Sequence, residues 1–234
     1  MRVAFISDVH GNAVAFEACL GAIRRLRVDQ IHFLGDAVGY LPDEISVLDR
    51  LAAEGIACQQ GNHEAMLLAE PPVNGARDTV YRLAAARARL FDTPHWVQIR
   101  GWPTSVTREI GGRRFLMVHG SPVDELFGYV HQDTDLSPFS HQPVDVVVMA
   151  NTHRPWIREV HGRTFVNTGS VGLPRDHGTL AAFAIFDADA RALRIMRVPI
   201  DTKEILRRYG SDLATEVRQC FSRRSQQLVG EVVA

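Results

Sequence analysis

Val3-Ala4-Phe5-Ile6-Ser7-Asp8-Val9-His10-Gly11-Asn12 sets the pattern of the chain: an apolar run breaks abruptly into an aspartate, a histidine and a Gly-Asn pair. Behind it, Ala15, Ala18, Cys19, Ala22 and Leu26 recur at the spacing of one helix face. These residues predict strand, polar loop and helix, in that order. The order repeats at once, with Ile31 to Leu34 as a strand, Glu44 to Ala53 as a helix and Ile56 to Gln59 as a third strand. Such alternation predicts βαβ units whose parallel strands are buried on both faces.

After Gly61 the texture changes. Residues 64 to 91 are rich in Ala, Leu and Arg, with Pro71, Pro72 and Gly75 interrupting them, and read as two helices inserted as a cap. From residue 96 strands dominate. Ser105 to Ile110 and Arg113 to Val118 flank Gly111-Gly112, a hairpin signal. Residues 121 to 143 read as loop, Val144 to Met149 as a buried strand, and Trp156 to Val160 with Arg163 to Val166 as a hairpin around His161-Gly162. Leu180 to Asp187 and Ala192 to Val198 form another, so the second half supplies a second sheet. Residues 202 to about 225 read as one polar C-terminal helix that packs a single stripe on the body.

Composition narrows the function classes. The chain has 234 residues, 46% of them apolar, with 26 Lys and Arg against 27 Asp and Glu, a net charge of −1. That balance excludes bulk-charge binding to nucleic acid or anionic membrane, and the apolar share excludes disorder. Leu180 to Phe186 is the longest purely apolar run, far short of the roughly 18 residues of a membrane span. No export signal is visible, and Cys19, Cys58 and Cys220 are odd in number with no CxxC pair, which suits reduced thiols and a cytoplasmic setting.

The chemistry-bearing residues sit where predicted strands end. The first strand runs into Asp8, His10 and Asn12, the second into Gly35-Asp36, and the third into Gly61-Asn62-His63-Glu64. Phe115 to Val118 ends at His119-Gly120, and Val144 to Met149 leads to Asn151 and His153. In open α/β sheets ligands bind at the carboxyl edge of the strands, so groups delivered there by five strands converge. Carboxylate, imidazole and amide oxygen together form a donor set for Mn, Fe, Zn or similar divalent ions. No thiolate joins them, which argues against a structural zinc knuckle.

Asp8-Val9-His10, Gly35-Asp36, Gly61-Asn62-His63-Glu64, His119 and Thr152-His153, in this order, resemble the signature of the calcineurin-like metallophosphoesterases over about residues 1 to 190. The strings Gly35-Asp36-Ala37-Val38-Gly39-Tyr40, Val118-His119-Gly120-Ser121-Pro122 and Gly169 to Asp176 further resemble the small bacterial and archaeal phosphoesterase branch. The resemblance implies two metal ions, Mn favoured over Fe, Zn, Ni or Mg. Asp8, His10 and His153 would hold the first, Asp36 would bridge, and Asn62, His119 and Asn151 would hold the second. Asn151 departs from the family, which usually has His there; its amide oxygen is a weaker ligand than imidazole. The resemblance further implies attack on phosphorus by a metal-bridging hydroxide.

His63, next to a ligand and with a near-neutral ordinary pKa, is the expected proton donor to the leaving oxygen. Asn12 is expected to contact phosphate or to cap the helix it precedes. Arg175 and Tyr129, on loops expected to border the cleft, are the other substrate-binding candidates. Arg77, Arg82, Arg87 and Arg89 read as solvated, and His32, His95, His131, His141, His161 and His177 as ordinary histidines.

The expected fold is a four-layer α/β/β/α sandwich of two mixed sheets. One metallophosphoesterase domain would span residues 1–200, with the helical cap at about 64–95, and a C-terminal helix and tail, 201–234, packed on it. The expected function is metal-dependent hydrolysis of a phosphodiester or small phosphomonoester. A serine/threonine protein phosphatase or dinucleoside polyphosphate hydrolase is the alternative within catalysis. A metal-binding scaffold, as the resemblance to a retromer subunit implies, is the alternative outside it. A small phosphoester is the expected partner, nucleic acid and membrane are not, and a homo-oligomer stays open.

Overall fold

The protein is described from a computed structural model, which covers residues 1–69 and 78–233. Pro71, Pro72, Gly75 and Arg77 lie outside the described residues. The first half runs β1 (Arg2–Ile6), α1 (Ala13–Arg25), β2 (Gln30–Phe33), α2 (Glu44–Ala53), β3 (Ala57–Cys58) and α3 (Asn62–Leu68), followed by α4 (Asp78–Tyr81), α5 (Leu83–Leu90) and α6 (Pro94–Arg100). Then come β4 (Ser105–Ile110), β5 (Arg113–Val118), β6 (Val146–Met149), β7 (Trp156–Val160), β8 (Arg163–Asn167), β9 (Leu180–Asp187) and β10 (Ala192–Pro199). The chain closes with α7 (Thr202–Tyr209), α8 (Thr215–Cys220) and the short β11 (Glu231–Val232).

Two mixed sheets result. One has the order β11-β10-β9-β1-β2-β3, the other β4-β5-β6-β8-β7. β1, β2 and β3 are parallel neighbours, while β9 runs antiparallel to β1 and closes the sheet toward β10. Strand alternation decides the layers. Val3 and Phe5 face the second sheet, where Phe115, Met117, Val146 and Val148 meet them, and Phe115 stacks on Phe5 with ring centroids 5.6 Å apart. Ala4 and Ile6 face the other way, into the core under α1 and α2. Val147 and Met149 of β6 point outward from the second sheet and are covered by Val130, Leu136, Phe139 and Val144. That outer cover is an irregular segment with a single 3-10 turn, Ser137–Phe139.

Two stretches differ from the sequence expectation. The inserted helices do not end near residue 91, because Thr93 caps a further helix, α6, through its side-chain oxygen, with Pro94 at its first position. The single C-terminal helix expected over residues 202 to 225 is two helices separated by a 3-10 turn at Gly210–Asp212, where the glycine weakens the helix. Both still bury apolar side chains against the first sheet's helical layer. The three cysteines are free. Among the described residues no helix is long and apolar enough to cross a membrane.

Candidate metal centre

The carboxyl ends of β1, β2, β5 and β6, with the N-terminus of α3, surround one buried cluster. Asp8, His10, Asp36, Asn62, His63, His119, Asn151 and His153 are all buried. Five of them, Asp8, His10, Asp36, Asn151 and His153, have positive φ between 51° and 64°. Asp, Asn and His tolerate this left-handed conformation better than other residues, but it still costs about 1–3 kcal/mol each. Tertiary hydrogen bonds hold it: Asp8 N–H donates to Gly35 O at 3.0 Å, and His10 N–H to Asp36 O at 2.9 Å.

The three imidazoles share one arrangement. Nδ1 of His10, His119 and His153 donates to the carbonyls of Val38, Leu34 and Leu173 at 3.0, 2.9 and 2.7 Å. A carbonyl can only accept, so Nδ1 carries a proton and Nε2 points inward. His153 Nε2 lies 3.3 Å from Asp8 Oδ1 and 3.2 Å from His10 Nε2. His119 Nε2 lies 3.4 Å from Asp36 Oδ2 and 3.0 Å from Asn62 Oδ1. Asp36 Oδ2 is also 3.5 Å from His10 Nε2, while its Oδ1 accepts the His63 N–H at 2.9 Å.

These groups fit divalent cations. Both carboxylate oxygens of Asp8 are buried without a hydrogen-bond partner, which is costly unless a positive charge completes them. Three ligand groups close up within the cluster: Asp8, His10 and His153; Asp8, Asp36 and His119; and His10, Asp36 and His63. Burial alone would raise the Asp36 carboxyl, but His119, His63 and His10 hold it well below the usual range. Burial would likewise lower His119, but without an ion Asp36 holds it up at about 9, so its Nε2 keeps a proton that a bound cation would displace. Asn151 donates its Nδ2 to Gly128 O at 3.0 Å, so like each of the three imidazoles it is held by a backbone carbonyl.

His63 differs from its sequence expectation. Burial brings it down to about 3, below the near-neutral range, although Asp36 opposes the shift. Its ring is enclosed by His10 at 4.6 Å, Tyr40 at 5.1 Å and Tyr81 at 4.8 Å. Asn12 is fully buried, and its atoms serve the fold: Oδ1 caps α1 at Ala15 N and Nδ2 donates to Gly172 O at 2.7 Å. The capping expectation describes those bonds; the phosphate contact does not. Tyr129 is half exposed, and Arg175 donates to Tyr40 Oη at 3.2 Å. Arg82 and Arg87 donate to backbone carbonyls and Arg89 pairs with Glu44, so none of the three is simply solvated.

Three residues of the centre had no assigned role in the sequence reading. Glu64 accepts backbone N–H groups of Asp36, Ala37 and Gly61 at 2.7, 2.7 and 2.8 Å, tying the turn after β2 to the turn after β3. Its place in Gly61-Asn62-His63-Glu64, three residues beyond the glycine that precedes the helix, is a capping-box spacing and was a usable signal. Tyr40 and Tyr81, which pack on His63, carry no local signal at all.

Residues 1–191 match the family described as the calcineurin-like phosphoesterase superfamily domain. An uncharacterised protein of Methanocaldococcus jannaschii is 23% identical over 218 residues, covering 86% of this chain and 89% of its own length. A metallophosphoesterase of Sphaerobacter thermophilus superposes with a TM-score of 0.77 at 25% identity, covering 95% of this chain and 98% of that one. A hypothetical protein of Pyrococcus horikoshii gives 0.78 at 22% identity, covering 94% and 97%.

Proposed function

This chain belongs to the calcineurin-like phosphoesterase superfamily, and on that premise we propose that it is a metal-dependent hydrolase of small phosphoesters, mono- or diester. The observation that carries this reading is the pair of unpartnered, buried Asp8 oxygens facing inward-pointing imidazole nitrogens. Asp8, His10 and His153 would hold one ion, Asn62, His119 and Asn151 a second, and Asp36 would serve both, with manganese favoured by the mixed donor set. Bound ions supply positive charge to the phosphoryl oxygens and a water of lowered pKa.

The protein's own residues do the rest. The Glu64 clamp fixes both ligand turns before substrate arrives, which favours a preorganised site. Arg175 is partly buried and has no carboxylate partner among the described residues; its guanidinium is suited to phosphoryl oxygens. Tyr129, half exposed, would be a second substrate contact. His63, whose affinity for a proton the negative charge of a phosphoryl group beside it would raise, would give that proton to the leaving oxygen. The helices after Asn62 place Tyr81 against His63 and wall that side, which favours a small substrate over a protein loop. A balanced charge and three free thiols fit a reducing, cytoplasmic setting.

The test is turnover of phenyl phosphate and of an aryl phosphodiester by the full chain with manganese added. Activity lost on chelation and restored by metal is the expected result. Absence of turnover with every divalent ion tried would overturn the reading.

A further inference from the structure

A cavity of about 290 Å³ lies beside the candidate centre and shares a wall with it. Tyr40 lines this cavity while its ring packs edge-on to His10 at 4.7 Å. Leu173 also lines it, and its carbonyl is the one that orients His153. Arg175 completes the shared wall: its backbone N–H donates to His153 O at 3.1 Å and its guanidinium to the Tyr40 hydroxyl. The opposite wall comes from another part of the chain. Val217 and Cys220 of α8 are buried there, and the exposed Glu216 and Arg223, the latter just beyond the helix, line its rim. All four lie past residue 191, where the family match ends.

The lining has a definite chemistry. Two guanidiniums, Arg175 and Arg223, stand against one carboxylate, Glu216, and none of the three has an ion-pair partner among the described residues. Between them the surface is apolar, from Val80, Leu173 and Val217. The volume sits at the small end of ligand pockets, which run from about 300 to 1,000 Å³, so a single ring-sized group fills it and a polymer does not.

We propose that this cavity receives the leaving alcohol of the phosphoester, and that this alcohol is a small organic group bearing a carboxylate or a second phosphate. The inference rests on the phosphoesterase reading of the adjoining centre. In the hydrolysis the oxygen of water bonds to phosphorus, the bond from phosphorus to the alcohol oxygen breaks, and that oxygen takes up a proton. The scissile phosphoryl group lies at the metals, the apolar body of the alcohol passes Leu173 and Val217, and its anionic end meets Arg223.

The experiment compares phenyl phosphate, 4-carboxyphenyl phosphate and 1,4-phenylene bisphosphate with the manganese-loaded full chain, as wild type, Arg223→Gln and Glu216→Gln. Both positions are exposed on the surface, so the fold survives either change. The readout is the ratio of kcat/KM for each anionic substrate over phenyl phosphate, since comparing that ratio between variants cancels intrinsic reactivity. Arg223→Gln should lower it roughly three- to five-fold and Glu216→Gln should raise it by a similar factor, as expected for partly exposed charges. The substrate with the larger ratio identifies carboxylate or phosphate as the recognised group. Calorimetric binding of 4-hydroxybenzoate, 4-hydroxyphenyl phosphate and phenol to metal-free protein should follow the same order and the same shifts. Turnover with ratios and affinities indifferent to both substitutions overturns the cavity assignment and leaves the phosphoesterase reading intact. Binding that shifts as expected without turnover of any ester overturns that reading instead, and supports the cavity as a site for small anionic alcohols.

Discussion

His63 and His32 show how much a single imidazole depends on its surroundings. His63 sits among metal-ligand candidates with its Nδ1 buried and unpartnered, and in the proposed reaction it would protonate the departing oxygen. Replacing it with Asn should therefore cost about 10²–10⁴ in kcat for a poor leaving group such as an alkyl alcohol, and much less for 4-nitrophenol, which leaves without help. An equal loss on both substrates, measured by initial rates, would make His63 a structural residue. His32 is remote from the centre, stacked on Phe5 with centroids 5.8 Å apart. Burial, with a smaller contribution from Arg108, lowers it from 6.5 to about 4. Above pH 6.5 both folded and unfolded chains leave it neutral. As pH falls from 6.5 toward 4 the unfolded chain takes up a proton that the folded chain refuses, so stability is lost in that window. His32→Phe keeps the stacked ring and removes the titration; its urea midpoint should fall less between pH 7 and pH 4.5 than that of the wild type, by the equivalent of about 1–3 kcal/mol. Parallel acid limbs for the two proteins would refute this. Neither environment is written in the local sequence. Asp8, His10, Asp36, His119 and His153 were legible because each ends an apolar strand, whereas Tyr40 and Tyr81 reach His63 only through tertiary packing.

Strand ends, rather than strands, carry the precision of this fold. The turn after β2 and the turn after β3 cross so closely that a Cβ on Gly35 would overlap the backbone of Gly61, and one on Gly61 would overlap Asp36 Oδ1. Gly35 also has φ of +100°, which side-chain-bearing residues rarely adopt. Gly35→Ala should therefore destabilise the protein by more than the roughly 1–3 kcal/mol of backbone strain, and should weaken manganese binding because Asp36 and Asn62 follow the two colliding glycines. Gly112, with φ of +72° and nothing within 4 Å of an added Cβ, is the control: Gly112→Ala should carry only the strain and leave metal affinity alone. Urea unfolding and calorimetry on both variants separate the two contributions, and equal metal affinities would refute the crossing argument. The βαβ order and the Gly111-Gly112 hairpin were readable from periodicity and turn residues, as β4 and β5 pair in full register from Ser105↔Val118 to Ile110↔Arg113. The loop character of residues 121 to 143 was readable too, but its place as the cover over β6 was not, since an irregular segment that buries Val130, Leu136 and Phe139 has no period to read.

At the scale of the molecule, the proposed function would reconcile a net charge of −1 with a phosphoester substrate by placing cationic charge locally, at bound ions and at Arg175, rather than over the surface. The C-terminal residues belong to this design although they follow the family match. α7, α8 and the residues between and after them bury Ile205, Tyr209, Leu213, Val217, Cys220 and Phe221 in the same core that α1 and α2 cover. At about 1.5–3 kcal/mol for each large apolar side chain, their joint burial is comparable with the whole stability of a typical domain, about 5–15 kcal/mol. The strand β11 adds its pairing to Met196 and Arg197. Arg197, fully buried, in turn grips Asp176 through both guanidinium Nη atoms and so anchors the loop that carries Arg175. A chain ended after Ile200 should therefore lose cooperative unfolding altogether, not merely the outer wall of the cavity. Far-UV circular dichroism across a urea titration checks this: a sharp transition near the wild-type midpoint would show that residues 1–200 form a self-sufficient domain and that the C-terminal helices only decorate it. The expected broad, early transition would make those helices part of the core, which explains why a polar-looking sequence nevertheless places Leu213, Val217 and Phe221 on its buried side.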